Sequence, residues 1–226
     1  MGFGEYVGQN LVSLVFYGRQ HFALVLYAVT LATVLALGLA VLLHTSGTAP
    51  ASWRTRLRAG SREGALLLTS AALTVPSLAL FGLLQPALGI GLAPSLAATT
   101  IYALYPVLRN AVAGLSSVDP AVLDAARGMG LGPAQRMLRV QLPLAWPVVL
   151  SGIRVATLIT IGIAVVAGTV SGPGLGLPLF SGLARLGAVN SFEQVLAGTL
   201  GCLVVAAVFE IGFALVGRLT IAKGIR

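Results

Sequence analysis

From His21 to Leu43 the chain carries no Asp, Glu, Lys or Arg. About 20 such residues, wound as a helix, cross the hydrocarbon core of a bilayer. Four further stretches are predominantly apolar: 64–84, broken by Pro76; 93–115, broken by Pro106 and carrying Arg109; 147–170, entered through Pro147 and carrying Arg154; and 192–217, which carries Glu193 at its start and Glu210 within it. Lipid satisfies no exposed backbone group, so helices are expected and open strands are not. Only 9% of the 226 residues are charged, against roughly a quarter in a soluble domain. Too few charges remain to clothe a water-facing surface, and mean hydropathy is +0.97. Gly38, Gly82, Gly114, Gly162 and Gly168 suit close packing of such helices. The expected fold class is therefore all-α: a polytopic membrane protein with five transmembrane helices in a single domain over 1–226.

The net charge of +8 would suggest nucleic acid in a soluble protein. Here the basic residues lie between apolar stretches, where they mark cytoplasmic loops, and no nucleic-acid partner is expected. If the N-terminus is outside, the cytoplasmic segments and span ends hold Arg54, Arg56, Arg58, Arg62, Arg109, Arg127, Arg136, Arg139, Arg154, Arg218, Lys223 and Arg226. Only Arg19 and Arg185 fall on the other side. The asymmetry predicts N-out, C-in. The segment before the first span lacks a basic n-region and cleavage site, so that span is expected to serve as its own insertion signal. Cys202 is a single cysteine and forms no intrachain disulfide.

Between the third and fourth stretches, residues 116–146 are too polar to cross and fall on the cytoplasmic side. Asp119 followed by Pro120 reads as an N-cap and first helical residue. Gly128 and Gly130 end or turn that helix. Gly132-Pro133 opens a second short helix through Met137 and Leu138, predicted to stop near Pro143. Two ordered helices on the cytoplasmic face form a docking element that a soluble motor could grip.

Asp124-Ala125-Ala126, then Gly130, then Val140-Gln141-Leu142-Pro143 resembles the EAA motif of bacterial ABC importer permeases, with Asp for Glu and Val for Ile. The likeness extends through Ser77–Leu84, Tyr105–Asn110, Ala125–Gly130, Gln141–Ala145, Gly152-Ile153-Arg154 and Gly174-Leu175-Gly176, and is similar to the subgroup for glycine betaine, carnitine and choline. Gly168–Gly174 departs from the Gly-Ala-Gly-Gly run usual there, which bears on the substrate more than the mechanism.

The resemblance implies a type I importer core in the bacterial plasma (inner) membrane, working by alternating access. Asp124, Ala125, Ala126, Arg127, Gly128, Met129, Gly130, Leu142 and Pro143 would couple it to the motor. Gly130 would permit a turn too tight for a side chain. The implied partners are two ATPase subunits, which bind the ATP and Mg while this chain binds no cofactor, and a separate extracytoplasmic substrate-binding protein. Five spans are too few to enclose a route, so a second permease copy or a paralogue is also expected.

Each candidate has a plainer reading. Asp124 also suits a solvated helix start. Arg109 and Arg154 also suit interfacial anchors with snorkelling stems, or partners of the coupling loop. Glu210, an acid deep in a span, would pair with a base or line a cation path, or sit near the interface about two turns from Arg218. Tyr102, Tyr105, Trp53 and Trp146 are aromatic candidates for holding a quaternary ammonium, although the two Trp read better as interfacial belt residues. Ser171–Gly176 lacks the Gly-Lys-Ser/Thr ending of a phosphate loop and reads as an extracellular turn or gate segment. His21 and His44 have no partners at ligand spacing, so no metal site is expected. No nucleophile–base pair stands out. The chain is therefore read as a transport subunit and not an enzyme. A self-sufficient channel or secondary transporter would show internal repeats and several intramembrane ionisable groups; the chain shows no convincing repeat, and Glu210 is the one intramembrane acid.

Overall fold

The computed structural model describes residues 2–45 and 53–221. Lys223 and Arg226, and the side chains of Trp53, Arg54, Arg56 and Arg58, lie outside the described residues. No strand occurs among the described residues. The long helices are α1 (Phe3–Thr45), α2 (Trp53–Thr74), α3 (Ser77–Leu88) and α4 (Leu92–Ser116). After α4 come α5 (Pro120–Gly128) and α6 (Pro133–Arg136). A π turn (Met137–Gln141) leads into α7 (Leu142–Val166), which tightens into a 3-10 turn (Ala167–Val170). α8 (Gly176–Leu183) and α9 (Ser191–Thr220) complete the order.

α4 is the centre, packed mainly against α7 and α1. The contact is close because small residues face each other. A Cβ on Gly152 would lie 2.4 Å from Asn110 Cβ, and one on Gly114 would lie 3.0 Å from the Ala145 carbonyl. Ala28, Ala32, Ala36 and Ala40 form a buried stripe along α1, the i, i+4 spacing of a single helix face. The buried hydroxyls of Thr99, Thr157 and Thr160 donate to carbonyls four residues back, at 2.6, 2.8 and 2.7 Å. That removes their polarity from the core. Large apolar side chains such as Leu203, Val204, Ile211 and Leu219 face outward, as a lipid-bathed surface requires.

Three helical runs are long and apolar enough to span a membrane: Phe3–His44, Pro133–Val170 and Ser191–Thr220. The pair Gly60–Thr74 and Ser77–Leu88 would make a fourth, although the two halves bend by 100° at the break before Pro76. α4 is not among them; it packs mainly against α1 and α7. The first helix starts at Phe3, not near 21, and its 43 residues extend about 65 Å at the α-helical rise, well beyond one bilayer core.

Pro143 does not stop the second short helix. The π turn, in which the Leu142 N–H bonds to the Met137 carbonyl, re-registers the backbone just before the proline. Pro143 then falls in the first turn of α7, where a missing N–H costs little. The Pro133–Val170 run is continuous over 38 residues.

The glycine-rich segment after α7 is a packed knot and leads into α8, a helix the sequence reading lacked. A Cβ on Gly176 would lie 1.9 Å from the Val165 carbonyl oxygen, and one on Gly168 would lie 2.4 Å from the Gly176 carbonyl carbon. The Gly91 N–H bonds the Val170 carbonyl at 2.9 Å, tying the knot to the start of α4. Gly174, at φ +120°, packs against His21, whose Nε2 donates to the Ile161 carbonyl at 3.2 Å.

Two long-range bonds gather helix ends at the opposite pole. The Gln141 amide nitrogen lies 3.2 Å from His44 Nε2, and Trp146 Nε1 donates to Thr220 Oγ1 at 2.8 Å. The C-termini of α1 and α9 therefore meet the start of α7, at the end from which α5 projects.

Candidate functional site

α5 is built by local chemistry. The Asp119 carboxylate accepts the Ala121 N–H at 2.8 Å with Pro120 in the first turn, satisfying a donor that a helix start leaves open. At the other end the Leu131 N–H reaches the Ala126 carbonyl at 3.1 Å, and the Gly130 N–H reaches that of Arg127 at 2.9 Å. This is a Schellman closure with Gly130 at φ +80°. The Gln135 side chain then accepts the Gly132 N–H at 3.0 Å and starts α6.

Only Ala126 of α5 is buried. Asp124, Ala125, Arg127, Gly128 and Gly130 are exposed, with Val122 at 40% and Met129 at 74%. The helix thus projects a mixed apolar and charged face from the end of the bundle. Of the two coupling candidates on the lever, Pro143 is exposed and Leu142 half-buried. The space around Gly130 is open, since nothing lies within 4 Å of a Cβ built there. Its constraint is the positive φ and not crowding, which corrects the expectation of a turn too tight for a side chain.

Arg154 on α7 pairs with Glu210 on α9, not with the coupling loop. Its Nε donates to Glu210 Oε1 at 2.9 Å and its terminal nitrogen to the second oxygen. This two-pronged fork fixes geometry as well as charge. The pair lies on an open face, with the side chains 55% and 29% exposed. Beside it a groove of about 370 Å³ is lined by Pro147, Leu150, Ser151, Arg154, Phe213 and Arg218. Both residues lie within apolar helical runs long enough to span a membrane, where removing either partner leaves the other charge without its counter-charge. Arg154→Ala and Glu210→Ala are therefore each expected to lower membrane yield and melting temperature, and the double variant to lie nearer wild type than either. Additive losses in a thermal-stability assay would contradict the pairing.

The aromatic candidates do not converge. Tyr102 is buried, and its hydroxyl donates to the Val75 carbonyl at 2.5 Å, holding the break before Pro76. Trp146 is engaged with Thr220, Tyr105 is half-buried and Arg109 is exposed. Among the described residues no group of His, Cys, Asp or Glu is placed to hold a metal ion. His44 and Gln141 meet across 97 positions of sequence; no local pattern signals that contact.

Residues 47–221 match the family model described as "Binding-protein-dependent transport system inner membrane component". The chain belongs to this family. It is a permease component of an ABC transport system, a multi-pass protein of the inner membrane. The permease is 31% identical to the choline transport system permease protein OpuBB of Bacillus subtilis over 95% of this chain and 91% of that one. It is 35% identical to the osmoprotectant import permease protein OsmW of Salmonella typhimurium over 88% and 86%. The glycine betaine/carnitine/choline transport system permease protein OpuCB of B. subtilis is 30% identical over 92% and 88%. In fold the permease is similar to a chain of the MetNI methionine ABC transporter, with a TM-score of 0.75 at 19% identity over 92% of this chain and 96% of that chain.

Proposed function

We propose that this permease imports a small osmoprotectant, such as glycine betaine, choline or carnitine, by ATP-driven alternating access. The names of its relatives support the solute class. The observation that carries the mechanism is an exposed α5, capped by Asp119 and closed by Gly130, at the root of a 38-residue continuous helical run. A motor gripping α5 would tilt that run as a lever. For ATP to drive a cycle, its binding to the motor must favour one of the two states over the other. Two ATPase subunits would bind the ATP and Mg and hydrolyse the ATP. A second permease copy or paralogue would complete the route, and a separate extracytoplasmic protein would deliver solute.

In this reading α1, the bent α2–α3 pair, α4, α7 and α9 are five spans. The end carrying Arg127, Arg136, Arg139 and Arg218 faces the cytoplasm. The Arg154–Glu210 face lines the solute route, since a charged pair in contact with lipid chains is costly. The Gly168–Gly174 departure keeps a second reading open, a permease of the same class for another small solute.

The test is uptake of labelled glycine betaine, choline and carnitine into vesicles holding the permease with its ATPase and binding protein. ATP-dependent accumulation of any of the three supports the proposal. A complex that hydrolyses ATP yet accumulates none discards the osmoprotectant assignment.

A further inference from the structure

We propose that the hydrogen bond between His44 and Gln141 fixes the fulcrum of the α6–α7 lever, making both positioning residues in coupling. The inference rests on the coupling role given to α5 above.

The lever has one soft region. Through Met137–Gln141 the backbone runs as a π turn, and π turns interrupt the regular ladder of a helix. Pro143 and Pro147 follow and contribute no N–H. Within eleven residues the helix therefore changes register once and lacks two donors. Force applied at α5 and α6 must pass through this region to reach the knot at Gly168–Gly176. A lever that bends freely there absorbs the motion instead of transmitting it.

Gln141 ends the π turn. It is 8% exposed, and its amide lies 3.2 Å from His44 Nε2 at the end of α1. For that contact the amide N–H donates to Nε2, and the neutral ring carries its proton on Nδ1. α1 is anchored from Leu24 to Ala40 by the buried alanine stripe and by Leu24 and Val25 against the core, so His44 ties the soft region to the packed half of α1. Near it Met137, 4% exposed, seats the start of the π turn in the core. Together they hold the pivot while the exposed α5 remains free to move with a motor.

The test uses the complete complex in proteoliposomes and reads solute imported per ATP hydrolysed. Gln141→Leu keeps the bulk and removes the donor; His44→Ala removes the acceptor. Losing a single hydrogen bond of ordinary strength predicts a fall of about five-fold in that ratio for each variant. Combining them is expected to cost no more than either alone, because they remove the same interaction. His44→Gln, which restores an acceptor, is expected to return the ratio to within about two-fold of wild type on the same hydrogen-bond scale. Should Gln141→Leu fail to accumulate, His44→Ala and His44→Gln carry the comparison. A purely structural role would lower the amount of complex and leave the ratio per complex unchanged, which overturns the proposal. Additive losses overturn it too. A wild-type ratio in these variants, in a complex where Gly130→Val abolishes uptake, rejects the fulcrum and leaves the α5 reading intact. Full coupling in Gly130→Val rejects the α5 reading itself.

Discussion

Gly130→Val is expected to abolish solute uptake while the protein still inserts in the membrane at near-normal levels. Gly130 closes α5 at φ +80°, a conformation that costs a branched side chain about 1–3 kcal/mol. Nothing crowds the position, so the chain has no need to rearrange its core. The cheapest response is local: the turn at Met129–Gly132 relaxes, and α5 loses its orientation relative to α6. Asn tolerates positive φ far better than Val, so Gly130→Asn should retain most of the uptake. Equal loss in the Asn and Val variants would show that bulk, and not backbone conformation, is what the site excludes. Uptake assays on matched amounts of membrane protein decide between them.

The second large effect is expected at the knot. Gly176→Ala would put a methyl group 1.9 Å from the Val165 carbonyl oxygen and 3.0 Å from the Gly168 nitrogen. These are backbone atoms with no rotamer to change. Overpacking a core by a methyl group typically costs about 1–3 kcal/mol, and fixed neighbours put this substitution at the upper end. Little folded protein should reach the membrane, and what does should melt markedly lower. Gly162→Ala is the control. No atom lies within 4 Å of a Cβ there, and alanine gains helix propensity of about 1 kcal/mol over glycine. Thermal unfolding in detergent should find Gly162→Ala neutral or stabilised. A Gly176→Ala protein as stable as wild type would mean that the knot is looser than its geometry indicates.

These two glycines also illustrate what the sequence made legible. The Asp119–Gly130 helix is read directly from sequence because its start and end signals are local: an Asp-Pro cap, and a glycine one position beyond the C-cap. Pro76 announced a break but not its 100° angle, nor the Tyr102 hydroxyl that bonds the Val75 carbonyl there from 27 residues away. Pro143 misled because local propensity treats an internal proline as a stop, whereas the preceding π turn makes it the opening of α7. Glu210 stood out as an intramembrane acid that would pair with a base, but which base does so, Arg154 on another helix, is set by the packing of α7 against α9. The His44–Gln141 contact and the Gly168–Gly176 packing are tertiary, set by how α1, α4 and α7 nest, and no periodicity records them.

The central claim is that α5 is where the motor grips this permease. The most direct measurement places a photoreactive residue at Ala125, exposed on α5, and separately at Leu83, 70% exposed on α3. Each variant is illuminated in a complex that hydrolyses ATP and imports solute. The account predicts a covalent adduct between the ATPase and the chain labelled at Ala125, and none from Leu83. An active complex in which Ala125 never captures the ATPase would contradict it.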